Sequence, residues 1–352
     1  MGCDGCELWP TWQQIRTDMM GVLDPTDSEE RDNLRAELNT LLEDRSATEI
    51  WHKRHVLIDR LAGQHPAVTR EAIENAMTNR FRCYAGQLHL NRGENTYEGN
   101  RIPNKGYARI FEEPRCFPGR MEDATRYCGL SSQERAKKPW LDGCRPLIFI
   151  SDMGDALSES IGFDFLETEI IASVSSEKGS RSIWLWLTKR PRRMADFGAW
   201  LQEKKGKAWP DNLMAMTSVT NRATKSRIAE LKEVPASLRG LSVEPLVESV
   251  ELGSELEGIH WLIAGGESGQ CPRPFKLSWA RNLKRQCTSA NVPFFLKQLG
   301  SSPVEEGIPL SLRHAHGGNW EEWPEDLRVR QMPRQFKPCG SGPTVGVTSY
   351  IY

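Results

Sequence analysis

Three cysteines have the residue type and spacing of a metal site. Two residues separate Cys3 from Cys6, which lets two thiolates bind one metal, and Cys83 opens the segment Cys83-Tyr84-Ala85-Gly86. Three cysteine ligands suit a four-iron cluster with one open iron. Two alternatives stay open, a structural zinc site and buried thiols that share no metal. The other cysteines lack close pairing, and we predict that they are structural: Cys116, Cys128, Cys144, Cys271, Cys287 and Cys339.

Acids, bases and glycines follow six short β-rich runs of the sequence, at the point where each run ends. In a β/α barrel the carboxyl ends of the strands face one shared cavity. We therefore predict one pocket whose candidate catalytic residues are Asp152, Lys189, Glu244, Glu267 and Lys297. Such a ring of carboxylates and lysines can bind a polar substrate or move a proton. The alternative for each residue is that it caps a helix or pairs with a neighbour.

Glycines and serines at the same run ends are the candidate cofactor-binding residues. Gly265 and Gly266 permit a turn whose backbone amides can approach a ligand, although such a pair also follows strands for steric reasons alone. The predicted cofactor-binding set is Gly265, Gly266, Ser268 and Ser242. A basic cluster at residues 189–193 begins a predicted helix, where phosphate recognition competes with the simpler interpretation of a solvated face.

The elements that must position these residues alternate between short apolar runs and amphipathic stretches. That alternation predicts parallel β/α units in an α/β protein. The predicted strands are Leu147–Ile150, Ile183–Leu187, Leu213–Met216, Gly240–Val243, Trp261–Ala264 and Pro293–Leu296. The predicted helices between them are Phe163–Val174, Arg192–Lys204, Arg222–Leu231 and Ser278–Ser289. With Ala108–Phe111 as a further candidate strand, the count lies between an open six-strand barrel and a full eight-strand one.

Leucines at helical spacing predict a helical block in the N-terminal third of the chain. The first helix follows Thr26-x-x-Glu29, which fits a capping box. Further helices are predicted at Trp51–Leu61 and from about Pro66 towards Asn79. The leucines that carry the first helix are Leu34, Leu38, Leu41 and Leu42.

Length and composition fit either one barrel-sized domain or two smaller ones. A chain of 352 residues with 38% hydrophobic content can bury a sizeable core. We predict a single β/α-barrel domain over residues 1–333, with a helical insertion at about 10–80, and a flexible tail at 334–352.

Charge and hydropathy exclude several classes of protein. A net charge of −1 gives no global positive field that would favour nucleic acid or an anionic membrane surface, so any contact with nucleic acid must be local. The apolar runs are too short to cross a bilayer, and no basic-then-apolar leader opens the chain. Nine cysteines, an odd number without an export signal, argue against a disulfide scaffold. We therefore expect a cytoplasmic protein.

The cysteine and strand-end motifs together resemble one family. They are similar to motifs of the phage Gp thirty-seven/Gp sixty-eight family, a three-cysteine-motif group of unknown function that is itself similar to radical S-adenosylmethionine (SAM) enzymes. The match runs over most of the chain, from Cys83 to about Pro333. The motifs are Gly2-Cys3-Asp4-Gly5-Cys6, Cys83-Tyr84-Ala85, Phe149-Ile150-Ser151-Asp152-Met153, Leu187-Thr188-Lys189-Arg190-Pro191, Leu241-Ser242-Val243-Glu244-Pro245, Gly265-Gly266-Glu267-Ser268 and Pro293-Phe294-Phe295-Leu296-Lys297-Gln298.

That resemblance implies a fold and an activity. The fold would be a radical-SAM-like partial or full (β/α) barrel, in which Cys3, Cys6 and Cys83 hold a four-iron, four-sulfur cluster (4Fe-4S) whose open iron binds SAM. Reductive cleavage of SAM would supply a radical that abstracts hydrogen from the substrate. The family's occurrence in phages and mobile elements implies modification or repair of a nucleobase. Its members carry a strand and a further cysteine before the Gly-Cys pair, so we expect an upstream in-frame extension.

Two other functions remain open at this point. The first is a non-catalytic barrel that binds nucleic acid or a partner protein and carries a structural zinc ion instead of the cluster. Some of its tryptophans could stack on bases: Trp184, Trp186, Trp261, Trp320 and Trp323. The second is a barrel hydrolase that uses Asp152, Glu244 and Glu267 without any cluster.

Overall fold

The computed structural model describes residues 9–23, 27–81, 83, 86–90, 110–151, 154–269 and 272–338. The chain divides into two compact units. Unit 1 comprises Met1–Phe117 and Asp152–Ile161, and unit 2 comprises Pro118–Ser151 and Gly162–Tyr352. Among the described helices, none is long and apolar enough to span a membrane.

Four helices form most of the described part of unit 1. They are α1 (Trp12–Leu23), α2 (Ser28–Leu42), α3 (Ala47–Gln64) and α4 (Arg70–Thr78). Their buried apolar residues recur at helical spacing, so each helix turns one face towards a shared core. The predicted helical character of this block is confirmed, and α1 is an addition to the helices that the sequence predicts.

Helix starts in unit 1 differ slightly from those predicted. Thr26 lies outside the described residues, and the side chain of Asp27 caps α2 by accepting a hydrogen bond from the Glu29 N–H at 3.2 Å. The helix predicted from Pro66 starts later, because Pro66 lies in a turn and Thr69 caps α4. In both cases a short polar side chain just before the first turn sets the boundary.

The Glu112 carboxylate contacts two earlier parts of unit 1, Trp9 before α1 and Thr48 in the first turn of α3. It accepts hydrogen bonds from the Trp9 indole N–H and the Thr48 backbone N–H, both at 2.9 Å. Of the candidate strand Ala108–Phe111, the described residues Ile110 and Phe111 lie in a bend and turn, and the Phe111 N–H donates to the Thr48 hydroxyl at 3.2 Å. That described part is therefore not a strand.

Six parallel strands form the main sheet of unit 2. They are β1 (Leu147–Ile150), β2 (Ile183–Thr188), β3 (Leu213–Ser218), β4 (Arg239–Val243), β5 (Trp261–Gly265) and β7 (Phe294–Gln298), hydrogen-bonded in that order. All six predicted strands are confirmed. The six strands follow one another in the sheet in the order of the chain. The sheet is curled into a half-barrel. The coarse α/β prediction is therefore confirmed.

Three short strands that follow β5 in the sequence form a small second sheet in unit 2. It contains β6 (Phe275–Lys276), β8 (Pro303–Glu305) and β9 (Ile308–Pro309). The sequence did not predict these three strands, since each has two or three residues and no apolar run.

Helices cover one face of the main sheet, called the outer face. In chain order the helices of unit 2 are α5 (Arg120–Ala124), α6 (Ser132–Ala136), α7 (Phe163–Leu166), α8 (Ala172–Ser175), α9 (Pro191–Lys205), α10 (Arg227–Lys232) and α11 (Leu277–Ser289), with π-helical Glu167–Ile171 joining α7 to α8. Trp186 of β2 illustrates the packing: its ring stacks 5.7 Å from that of Trp209 and meets Phe197 of α9 edge-on. Both aromatic contacts bury large apolar area.

The helices predicted in unit 2 are present, with one correction. The stretch predicted as one helix at Arg222–Leu231 is a 3₁₀ turn at Arg222–Thr224 followed by α10. The Thr224 hydroxyl accepts from the Thr220 N–H at 3.0 Å, and the Asn221 side chain accepts from the Thr224 N–H at 3.1 Å. These side-chain bonds hold the first turn in a tight local structure that competes with a continuous helix.

The opposite face of the main sheet, called the inner face, is packed at its amino-terminal half by the end of the chain. Phe336 is fully buried against this face with Leu185 and Met214, and its carbonyl accepts the Arg145 N–H at 2.8 Å. The packed chain therefore continues past Pro333, where the flexible tail was predicted to begin, at least through residue 338. Residues 339–352 of that tail lie outside the described residues.

Candidate functional site

The carboxyl-terminal half of the inner face carries polar residues. Side chains of a strand alternate between the two faces, and parallel neighbours in register share a face. The register pairs Ser218 with Ser242, and Ser242 with Ile263. Continuing along each strand by two residues places Glu244, Gly265 and Lys297 on this same face. Three of the predicted site residues therefore lie together at one end of the sheet.

Glu244 is the most buried acid of this group. Its side chain is 18% exposed. The residue directly follows β4, and a cis peptide bond joins it to Pro245. Its carboxylate lies 3.4 Å from the Ser242 hydroxyl and 3.5 Å from the Lys297 ammonium. Burial raises the pKa of Glu244, and the nearby Lys297 offsets that rise only in part. A carboxyl group placed this way keeps a proton at a higher pH than a solvated glutamate.

Lys297 stands at the open side of the group. Its side chain is 57% exposed, and its distance from Glu244 exceeds that of a close charge-assisted hydrogen bond. An ion pair with one largely exposed partner at such a distance contributes little stability. The ammonium is therefore available to an anionic ligand at small cost to the fold.

Gly265 makes room for the Glu244 carboxylate. A Cβ atom at this position would lie 2.6 Å from Oε1 of Glu244. Any larger residue would displace the carboxylate from its place near Ser242 and Lys297. The glycine that sequence analysis assigned to cofactor binding thus has a steric role in positioning an acid.

Gly266 has a packing role as well. Its N–H donates to the Gln298 carbonyl at 3.0 Å, and a Cβ there would lie 2.2 Å from the Leu299 carbonyl oxygen. The N–H of Gly266 is therefore used within the protein rather than offered to a ligand. Of the predicted cofactor-binding set, Ser242 borders Glu244 and Ser268 lies half-buried in the turn after β5.

Glu267 is the carboxylate of an ion pair with Arg273. Its carboxylate accepts two hydrogen bonds from the Arg273 guanidinium, both at 2.8 Å, and a third from the Arg273 backbone N–H at 2.9 Å. Such bidentate pairing neutralises the acid and fixes the ends of the loop between them. For this residue the structure favours the pairing alternative over proton transfer.

A loop that sequence analysis missed reaches the same end of the sheet. Gly317 packs so closely on Gly300 that a Cβ would lie 2.6 Å from the Gly300 carbonyl oxygen, and the Leu299 N–H donates to the Gly317 carbonyl at 3.0 Å. This contact holds His314, whose Nδ1 accepts the backbone N–H groups of His316 and Gly318 at 3.2 Å each. The imidazole is exposed.

An aromatic cluster was also missed. The Arg330 guanidinium lies 4.3 Å from the Trp140 ring centroid and 5.4 Å from that of Trp320, and it donates to the Lys297 carbonyl at 2.9 Å. Desolvation lowers the pKa of Arg330 to about 10. Trp140 also meets Phe295, an inner-face residue of β7, edge-on at 6.4 Å. The members of this aromatic cluster come from three distant parts of the sequence, so no local pattern could have revealed the cluster.

The remaining predicted site residues are divided between the two units. Lys189 is half-buried after β2 in unit 2, whereas Asp152 lies outside the described residues. Cys3 and Cys6 also lie outside them, and Cys83 is buried among apolar residues of unit 1. Among the described residues, no group of three potential metal ligands is present.

Comparison with known proteins gives one match. A family model described as a protein of unknown function (DUF5131) matches residues 81–324, which include all six strands of the main sheet. No curated protein and no solved structure matches the chain.

Proposed function

The chain belongs to the DUF5131 family of proteins of unknown function, and we propose that the carboxyl-terminal half of the inner face is the active site of a SAM-dependent iron–sulfur enzyme. The observation that carries the location is the buried Glu244 carboxyl beside Ser242 and Lys297 on one face of an all-parallel sheet. In parallel β/α sheets, ligands bind at the carboxyl ends of the strands.

The closed amino-terminal half of the inner face supports this location. Phe336 and its neighbours fill that half, so a ligand has access only to the other half of the described face. There, Ile263 and Phe295 are half-buried beside the polar group. An apolar surface with a few convergent polar groups is the usual composition of a small-molecule site.

The roles of the polar side chains follow from their surroundings. Glu244, whose pKa is raised by burial, can donate a hydrogen bond or a proton from its carboxyl group to a ligand nitrogen or oxygen. The Lys297 ammonium can bind a carboxylate at the open side, and SAM carries one on its methionine part. Ser242 supplies a hydroxyl that holds the Glu244 carboxyl in place.

The cofactor assignment rests on the cysteine spacing and the family resemblance. Cys3, Cys6 and Cys83 would hold the cluster, which with SAM would supply the radical that removes hydrogen from a substrate. A nucleobase in DNA or RNA is the substrate that the resemblance favours.

The test is anaerobic loading of the chain with iron and sulfide, followed by measurement of SAM cleavage under reducing conditions. We expect iron with sulfide, visible absorption that changes on adding SAM, and cleavage that is lost in Cys83→Ala. Glu244→Gln should keep the iron and lose on the order of a hundredfold in turnover, as for removal of a general acid. Loaded chain that neither binds nor cleaves SAM would contradict the proposal.

A second candidate function has its own observation. Trp140 and Trp320 are half-buried, and their rings meet at 5.0 Å beside Arg330, so a non-catalytic barrel could use them to stack on nucleic-acid bases. In that protein a structural zinc ion would replace the cluster. Metal analysis separates the two candidates, because one zinc without iron favours the second.

A further inference from the structure

A groove crosses the surface of helix α1 in unit 1. It consists of two depressions that share Thr17 and Gly21, one between α1 and α4 of about 490 Å³ and one between α1 and α2 of about 360 Å³. Together they are called the α1 groove. Its described lining residues are Arg16, Thr17, Asp18, Met20, Gly21, Val22, Arg31, Arg35, Ala72, Asn75, Ala76 and Asn79.

Half of the twelve described lining residues of the α1 groove carry side-chain hydrogen-bond donors. Three arginines lie on its α2 side and two asparagines on its α4 side, with the Thr17 hydroxyl between them. Asp18 is the one carboxylate among the described lining residues, and Arg80 pairs with both of its oxygens, with an Nη2–Oδ1 distance of 2.7 Å. The described lining therefore carries three guanidinium groups and one carboxylate, and that carboxylate is already paired.

The arginines are held towards the groove by the two helices. The Arg16 guanidinium lies 5.2 Å from the Trp12 ring centroid and donates to the Asn39 side chain at 2.6 Å, which fixes it between α1 and α2. Arg31 and Arg35 are four residues apart on α2 and so lie on one face of that helix. Arg35 also approaches Asp32 at 3.8 Å, but both side chains are more than half exposed, so this pair is weak.

The floor of the groove is a glycine that packing does not require. A Cβ at Gly21 would meet no atom within 4 Å among those described. Glycine inside a helix is less favourable than alanine, so its presence in α1 lowers helix stability without a steric reason. What its missing side chain provides is space at the centre of the groove, next to small Ala72 and Ala76 on α4.

We propose that the α1 groove binds the phosphate backbone of a single nucleic-acid strand. Guanidinium groups match phosphate oxygens in two-pronged geometry, so Arg16, Arg31 and Arg35 would contact phosphates. Asparagine and threonine are common partners of phosphates and sugars, and amides also reach base edges, which suits Asn75, Asn79 and Thr17. Mixed amide and guanidinium donors distinguish this ligand from an acidic peptide, which needs positive charge alone. The proposal does not depend on the cluster or on the inner-face site.

The first test measures binding of the full chain to a fluorescently labelled single-stranded oligonucleotide over a range of salt concentrations. The triple variant Arg16→Gln, Arg31→Gln, Arg35→Gln should weaken binding on the order of tenfold or more. It should also lower the slope of log affinity against log salt by about 2, since each phosphate contact on a single strand contributes about 0.7.

A matched control separates the groove from net charge. Arg70, Arg126 and Arg181 are exposed arginines, each ion-paired with a neighbouring carboxylate outside the groove. The variant with glutamine at all three of these positions also removes three positive charges, and it should leave affinity within about twofold. Equal losses in the two triple variants would overturn the proposal, as would an acidic peptide that competes as well as unlabelled oligonucleotide.

Two substitutions at Gly21 guard against loss of folding as the cause. Gly21→Ala should raise the melting temperature and keep binding, whereas Gly21→Glu should keep the fold and weaken binding by filling the groove and repelling phosphate. Circular dichroism melting confirms the fold of each. A Gly21→Glu chain that is folded and binds like the native chain would overturn the proposal.

Discussion

The two halves of the inner face in unit 2 are built from the same strands and yet differ sharply. At the amino-terminal half, Ile183, Met214 and Trp261 are buried under Phe336. Two to four residues further along the strands, the same face carries Ser242 and Glu244. One half is closed by the chain's own apolar residues, and the other half leaves polar groups close together.

The difference indicates what each half does. Apolar burial at the closed half stabilises the fold in proportion to the area removed from water. At the open half, Glu244 is buried with its partners at 3.4 and 3.5 Å, distances too long to compensate its desolvation fully. A sheet under selection for stability alone would place an apolar residue there, so the arrangement is better explained by ligand binding.

The largest effect that would test this comparison is expected at the closed half. Phe336→Ala should lower the free energy of unfolding by about 3–5 kcal/mol, because it removes a fully buried aromatic ring and leaves a cavity. Urea denaturation measures the change, and Phe336→Leu should cost less than half as much. A loss below about 1 kcal/mol would show that the end of the chain does not close the inner face.

A smaller effect is expected where the open half makes room for its acid. Gly265→Ala places a Cβ against Oε1 of Glu244 and should cost about 1–2 kcal/mol by displacing the carboxylate. In a Glu244→Ala background that atom is absent, so the same substitution should cost little. The coupling from this double-mutant cycle measures the contact. Additive effects would mean that Gly265 does not position Glu244.

The smallest effect concerns pH. The pKa of Glu244 in the folded chain is raised above its ordinary value of 4.5. Between the ordinary and the raised pKa the folded chain therefore binds more protons than the unfolded chain, and stability falls as pH rises. Glu244→Gln lacks this penalty. Its stability relative to the native chain should therefore grow as pH rises above 4.5, as read from urea denaturation at each pH.

Lys297→Met provides the contrasting control for that series. Lys297 lowers the pKa of Glu244, so its removal should raise that pKa further and make the loss of native stability with pH steeper. A Glu244→Gln chain whose relative stability does not change with pH would mean that Glu244 is not desolvated.

The main sheet could be predicted closely from the sequence. Strands such as Ile183–Thr188 and Leu213–Ser218 are buried along nearly their whole length, so they appear as largely apolar runs. The position of Glu244 and Lys297 at strand ends followed from the same pattern.

The roles of individual site residues could not be predicted in this way. Glu267 becomes an ion-pair partner because Arg273 returns across a loop, and Gly265 is needed because another strand brings Glu244 beside it. These features depend on contacts between distant segments, which local composition does not encode.

The most direct test of the proposed site is SAM binding to the anaerobically iron-loaded chain, compared between the native sequence and the double variant Glu244→Gln, Lys297→Met. Both variants change side chains at the open half without touching the cysteines. We predict an unchanged iron content and SAM affinity lower by about tenfold to a hundredfold, the loss expected for a hydrogen bond to a charged group. Equal SAM affinity in the native and double-variant chains would place the ligand elsewhere and contradict the proposed site.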